Sequence, residues 1–194
     1  MQTPRIVVFD IETANWFSEV GGSNPADLSI ALVGIHDSET GYASFVQSEL
    51  PKLWQILEKT DILVGYNSDH FDIPLLNKYY PGDLSKIKSV DLLKEIHASL
   101  GRRLKLDAVA DGTLKEKKLD GKNGQSIVWW RAGEIDKVRE YCLKDVELTK
   151  KIFDHALEKR HVKYRELGKT REVQLDTSQW LTTNIRPMTF TIGF

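Results

Sequence analysis

Cysteine occurs once in the 194 residues, at Cys142. A lone thiol excludes an intramolecular disulfide and any metal site built from cysteines, and it suits a reducing compartment. Long apolar runs are also missing: none approaches the roughly 18–20 residues that cross a bilayer. The opening residues MQTPRIVVFD lack a basic stretch, an apolar core and a small-residue cleavage site, so no secretory leader is evident. The expectation is an intracellular, cytoplasmic protein with no membrane partner. Basic side chains are scarce in residues 1–84, with 4 against 12 acidic ones, whereas residues 85–194 carry 23 against 16. The net charge of −1 therefore conceals two opposed regions. A solvated surface of uneven charge accounts for this, and so does an acidic pocket beside a basic face.

No repeat, low-complexity tract or linker interrupts the chain, whose length and 41% hydrophobic content fit one domain over 1–194, with a core over about 5–160. Arg5–Ile11, rich in β-branched residues, predicts a buried strand. A loop over 13–28 carries Gly21, Gly22, Asn24 and Pro25. Strands are expected next at Ser29–His36 and Tyr42–Val46, joined by a turn over Asp37–Gly41. The spacing predicts helices over Glu49–Lys59 and Phe71–Tyr80 around a fourth strand, Ile62–Tyr66. Shorter helices are expected over Val90–Leu100 and Leu104–Ala110, a loop over 111–126, and a long helix from Glu134 to about His161. Residues 162–194 read as a helix extension and then an extended tail. Strands first in succession and then alternating with helices argue for an α/β fold with a mixed sheet.

Acidic side chains in three stretches carry the chemistry. Asp10 and Glu12 alternate on one face of a strand that is otherwise apolar. Two adjacent carboxylates repel, and burial penalises them further; a divalent cation relieves both costs. Two solvated acids at a strand end are the plainer alternative. Asp72 opens a helix after the turn GYNSDHF, where the helix dipole favours an acid whether or not it binds anything. Asn67 in that turn suits turn formation as well as contact with a ligand. Tyr141 and Asp145, four apart, share one helix face beside the apolar positions Cys142 and Val146.

These stretches resemble the motifs of the DEDD superfamily of 3′–5′ exonucleases, in the branch with tyrosine in its third motif. FDIET is similar to the first motif, GYNSDHFDIPLL to the second as it occurs in the proofreading domain of B-family DNA polymerases, and YCLKDVEL to the third. LKLDAVA and the preceding DLL resemble the segment between the last two. The likeness covers about residues 5–150. It implies a ribonuclease H-like fold, with Asp10, Glu12, Asp72 and Asp145 as ligands to two Mg2+ or Mn2+ ions. It implies Tyr141 as the residue orienting the attacking water; Thr13, Asn67 and Phe71, beside these residues in the chain, are candidate substrate contacts. The implied reaction removes nucleoside 5′-monophosphates from the 3′ end of single-stranded DNA or RNA. The chain is too short to contain a polymerase, so a free-standing exonuclease or a nuclease subunit is expected, with a monomer as the simpler state.

Other residues bear on substrate. Trp16 with Phe17, and Trp129 with Trp130, could stack on bases or belong to the core. Phe71 could wedge against terminal bases or pack a helix. Arg102, Arg103 and Lys105, and the run Lys159, Arg160, Lys163 and Arg165, could contact phosphates or simply be solvated. Rival functions are a nucleic-acid-binding module without catalysis, an endonuclease of the same fold, and a subunit active only in a larger assembly.

Overall fold

A computed structural model describes residues 3–117 and 124–183. Five strands form the central sheet: β1 (Ile6–Thr13), β2 (Ile30–Asp37), β3 (Gly41–Val46), β4 (Ile62–Gly65) and β5 (Lys88–Asp91), in the order β3-β2-β1-β4-β5. The first three form an antiparallel meander, and β4 and β5 run parallel to β1. This mixed α/β sheet carries helices on both faces, the architecture that the resemblance to a ribonuclease H-like fold implies.

Strand alternation sends β1 side chains to two different layers. Val7, Phe9 and Ile11 pack with α2 (Leu50–Leu57) and α3 (Asp72–Asn77) on one face. Val8, on the other, meets Val146 of the 25-residue helix α7 (Ile135–Lys159), which lies across β1 and β2. Asp10 and Glu12 share the parity of Val8, so the face carrying α7 also carries the acids. Helices α4 (Leu92–Leu100) and α5 (Leu106–Leu114) complete that layer. A four-residue helix, α1 (Phe17–Val20), and a further helix, α6 (Gln125–Arg131), lie near the end of β1.

Several expectations are corrected. Residues 88–91 are a strand rather than the start of a helix: Val90 is buried between β4 and the helical layer, and the Asp91 carboxylate caps α4 by accepting the Leu93 and Lys94 amides. The expected loop 13–28 contains α1 and a 3-10 turn at Pro25–Asp27. The expected loop 111–126 begins as the last turn of α5 and ends in α6, while 118–123 lie outside the described residues. The long helix stops at Lys159 because Arg160 turns left-handed, at φ 59°. In place of the expected helix extension the chain then forms a hairpin, β6 (His161–Glu166) and β7 (Lys169–Gln174). Val162, Tyr164 and Val173 bury their side chains in the core, and Trp180 stacks on Phe153 at 5.6 Å, so the core extends well beyond residue 160. The remainder of the expected tail, from 184 on, lies outside the described residues.

Candidate active site

The parallel strands β1, β4 and β5 all end at one rim of the sheet, the side on which open α/β sheets bind ligands. Asp10 pairs with Gly34 across β1 and β2. A side chain at Gly34 would place its Cβ 2.8 Å from the sulfur of Cys142, so glycine is what lets α7 settle this close to the sheet. That approach brings the Cys142 thiol to the first acid: Sγ donates to the carbonyl oxygen of Asp10 at 3.4 Å and to its Oδ2 at 3.6 Å. Ligand atoms of Asp10, Glu12 and Cys142 all lie within 4.8 Å of one another.

The other two acids arrive from helices. Asp72 opens α3 after the β4 turn and is 5% exposed; Asp145, one turn beyond Tyr141 on α7, is 4% exposed. Burial pushes the Asp72 carboxyl up to about 8, with the charges of Asp91 and Glu12 acting in the same direction and backbone hydrogen bonds at Asp72 and Ile11 opposing. Burial, then the charges of Asp10, Glu12 and Asp145, push the Cys142 thiol well above its ordinary range. A protonated sulfur is a poor ligand, so the usable donors are carboxylate oxygens. Such a set suits a hard cation, Mg2+ or Mn2+, better than a thiophilic one. A divalent cation would also supply the countercharge that this concentration of acids calls for. The residues therefore fit a divalent metal.

All eight site residues expected from the sequence line one cleft of about 1110 Å³: Asp10, Glu12, Thr13, Asn67, Phe71, Asp72, Tyr141 and Asp145. Phe17 and Phe71 meet edge to face at 6.2 Å on its wall, and Trp16 lies beside them against Gly124, whose positive φ and absent side chain leave room for the indole. Trp129 is not in the cleft wall. Its ring packs edge to face on Tyr141 at 5.9 Å. Trp130 packs against the small cluster of Leu32, Val138 and Cys142. Arg103 and Lys105 reach the cleft, whereas Arg102 turns away to a bidentate pair with Glu166. Lys159, Lys163 and Arg165 face Glu158, Glu172 and Asp111 on the surface.

Sequence reasoning overlooked Asp91 as part of the site's support. Its buried carboxylate also accepts the amides of Asn67 and Asp69, at 2.8 and 3.1 Å, and so shapes the turn that leads to Asp72. Its bonds from the Asn67 and Asp69 amides help hold Asn67 at φ 70°. The signal was present: Asp91 precedes a helix as an N-cap should. Gln125 and Ser126 of α6 also line the cleft, without any motif to mark them.

A family profile described as the RNase_H superfamily matches residues 7–157. Among solved structures, the family B DNA polymerase from the hyperthermophilic archaeon Pyrobaculum calidifontis is similar, with a TM-score of 0.61 and 20% identity. The match covers 79% of this chain and 24% of that one, so this chain corresponds to about a quarter of the polymerase's length. A comparison with curated proteins finds no match.

Proposed function

The chain belongs to the RNase_H superfamily, and on that premise we propose that it is a metal-dependent 3′–5′ exonuclease acting on single-stranded nucleic-acid ends. One observation carries this reading: four acids from three separate segments, with Tyr141, line a single cleft of about 1110 Å³. The similarity to a family B DNA polymerase supports it, as does the resemblance of the three motifs to the proofreading domain of such enzymes.

In this reading Asp10, Glu12, Asp72 and Asp145 hold two Mg2+ or Mn2+ ions. The chemistry such ions supply is a nucleophilic water at neutral pH and charge stabilisation at the leaving oxygen. Tyr141, braced by Trp129, orients the water by hydrogen bonding. Phe71, braced by Phe17, stacks against the terminal base, while Thr13 and Asn67 offer polar contacts to the sugar and phosphate. The Cys142 thiol holds Asp10 in one orientation. The bond cut is the last phosphodiester, with its 5′ phosphate retained on the released mononucleotide.

A covalently closed single-stranded circle tests the exonuclease assignment. With Mn2+ the linear form is degraded and the circle persists; cleavage of the circle at a comparable rate would contradict it.

A further inference from the structure

Arg103 belongs to the walls of two cavities. One is the carboxylate cleft. The other is a pocket of about 180 Å³ that opens beside it, where Asp69, His70, Asp91, Lys94 and His97 complete the lining and Asn67 and Leu93 are also shared with the cleft. Clefts for whole small-molecule ligands run to roughly 300–1,000 Å³, so this one is sized for a single compact group.

Its chemistry favours an anion. The pocket's two acids are already engaged. Asp69 accepts from Ser89 Oγ at 2.6 Å and from Lys94 Nζ at 2.8 Å. Asp91 is covered by four backbone amides. The groups left to meet a ligand are the exposed rings of His70 and His97 and the guanidinium of Arg103. Arg103 donates to the side-chain oxygen of Asn67, which anchors it while leaving further N–H groups of its five. Its neighbours hold the loop itself: Arg102 pairs with Glu166, and the Leu104 carbonyl accepts from Tyr66 Oη at 2.9 Å.

We propose that this pocket is a phosphate subsite. It takes a backbone phosphate of the strand lying 5′ of the bond being cut, with Arg103 spanning the two cavities. The inference rests on the nuclease reading and adds a path: from the carboxylates, past Arg103, to His70 and His97. A substrate too short to cross Arg103 forgoes the subsite, so strand length becomes a determinant of affinity.

The test is fluorescence anisotropy of a labelled oligothymidylate long enough to cross both cavities, and of a thymidine dinucleotide, in EDTA at several salt concentrations. Variants are Arg103→Gln, which keeps a donor for Asn67, and the pair His70→Ala with His97→Ala. Hydrolysis of bis(p-nitrophenyl) phosphate with Mn2+ is followed in parallel. Arg103→Gln is expected to bind the long strand about tenfold more weakly, the worth of one charge-assisted hydrogen bond. Its plot of log K against log salt should be shallower by about 0.7, the contribution of one phosphate on a single strand. The histidine pair is also expected to lose affinity for the long strand. In the histidine pair, whose rings line only the smaller pocket, dinucleotide binding and hydrolysis of the small diester should stay at the parent's level. Variants that bind the long strand with the parent's affinity and salt slope would overturn the subsite alone. A parent that neither binds the strand nor hydrolyses the diester would remove the nuclease reading and the subsite with it.

Discussion

The sulfur of Cys142 lies 3.6 Å from Oδ2 of Asp10, joining the first third of α7 to the first acid of the central strand. The thiol is fully buried and held in its protonated form. Thiol reagents should therefore leave the native protein untouched and label Cys142 stoichiometrically once it is unfolded. Cys142→Ala should weaken Mn2+ binding by about tenfold, as removing a partner of a metal-ligating group does. Thiol titration and calorimetric titration with Mn2+ check the two halves.

Gly34 sets the spacing on which that contact depends. A Cβ there would stand 2.8 Å from the Cys142 sulfur, 3.3 Å from Val146 and 3.4 Å from Leu143. Gly34→Ala should push α7 outward and carry Tyr141 and Asp145 with it. The expected cost is about 1–3 kcal/mol of stability. Hydrolysis should fall by about 100-fold, because a shift of about 1 Å at a reacting centre has that effect. Thermal melts and initial rates separate the two.

Asp72 costs the metal-free fold stability near neutral pH. Its carboxyl ordinarily titrates at 3.8 and is pushed up to about 8 in the fold, so the folded chain holds this proton more tightly than the unfolded one. The metal-free protein should therefore lose stability through Asp72 as pH rises from about 4 towards 8. Asp72→Asn should melt at or above the parent in EDTA near pH 8, by about 2–4 °C for each kcal/mol relieved in a chain of this size. The same variant should lose the stabilisation that Mn2+ gives the parent. Melting curves with and without Mn2+ test both statements.

Asp37, at the far end of β2, has the opposite sign. Burial alone would raise its carboxyl, but hydrogen bonds from Arg5, Thr40 and the Glu39 amide outweigh it and hold it near 2, against 3.8 ordinarily. A lowered carboxylate stabilises the fold above its unfolded value, and that contribution is lost as pH falls from about 4 to 2. Asp37→Asn should cost about 3 kcal/mol at neutral pH, because Arg5 keeps its charge in a nearly buried place. The difference from the parent should shrink across that acid window in denaturant titrations.

That these acids share one cleft was legible in the sequence largely because they sit on strongly patterned elements. The apolar alternation of IVVF leads directly into Asp10 and Glu12, and the helical period of α7 sets Tyr141 and Asp145 on one face. Asp72 was legible only through its motif, since its position also suits a cap. The strand β5 escaped notice because KSVD is short and polar on one side, and its last residue doubles as a helix cap. The β6–β7 hairpin escaped for a different reason. Its turn uses Leu167 at φ 48° before Gly168, not the Asn-Gly pair that marks such turns, and its outward residues are charged like the end of α7. Which aromatics face the cleft depends on how α6 packs, and periodicity over seven residues does not carry that information.

Digestion of matched 5′-labelled single-stranded DNA and RNA with Mg2+ or Mn2+, beside an Asp145→Ala control, tests the central claim most directly. The account predicts a ladder that shortens from the 3′ end, requires the metal and is absent in the control. Intact strands under every metal condition, or a ladder that persists in Asp145→Ala, would contradict it.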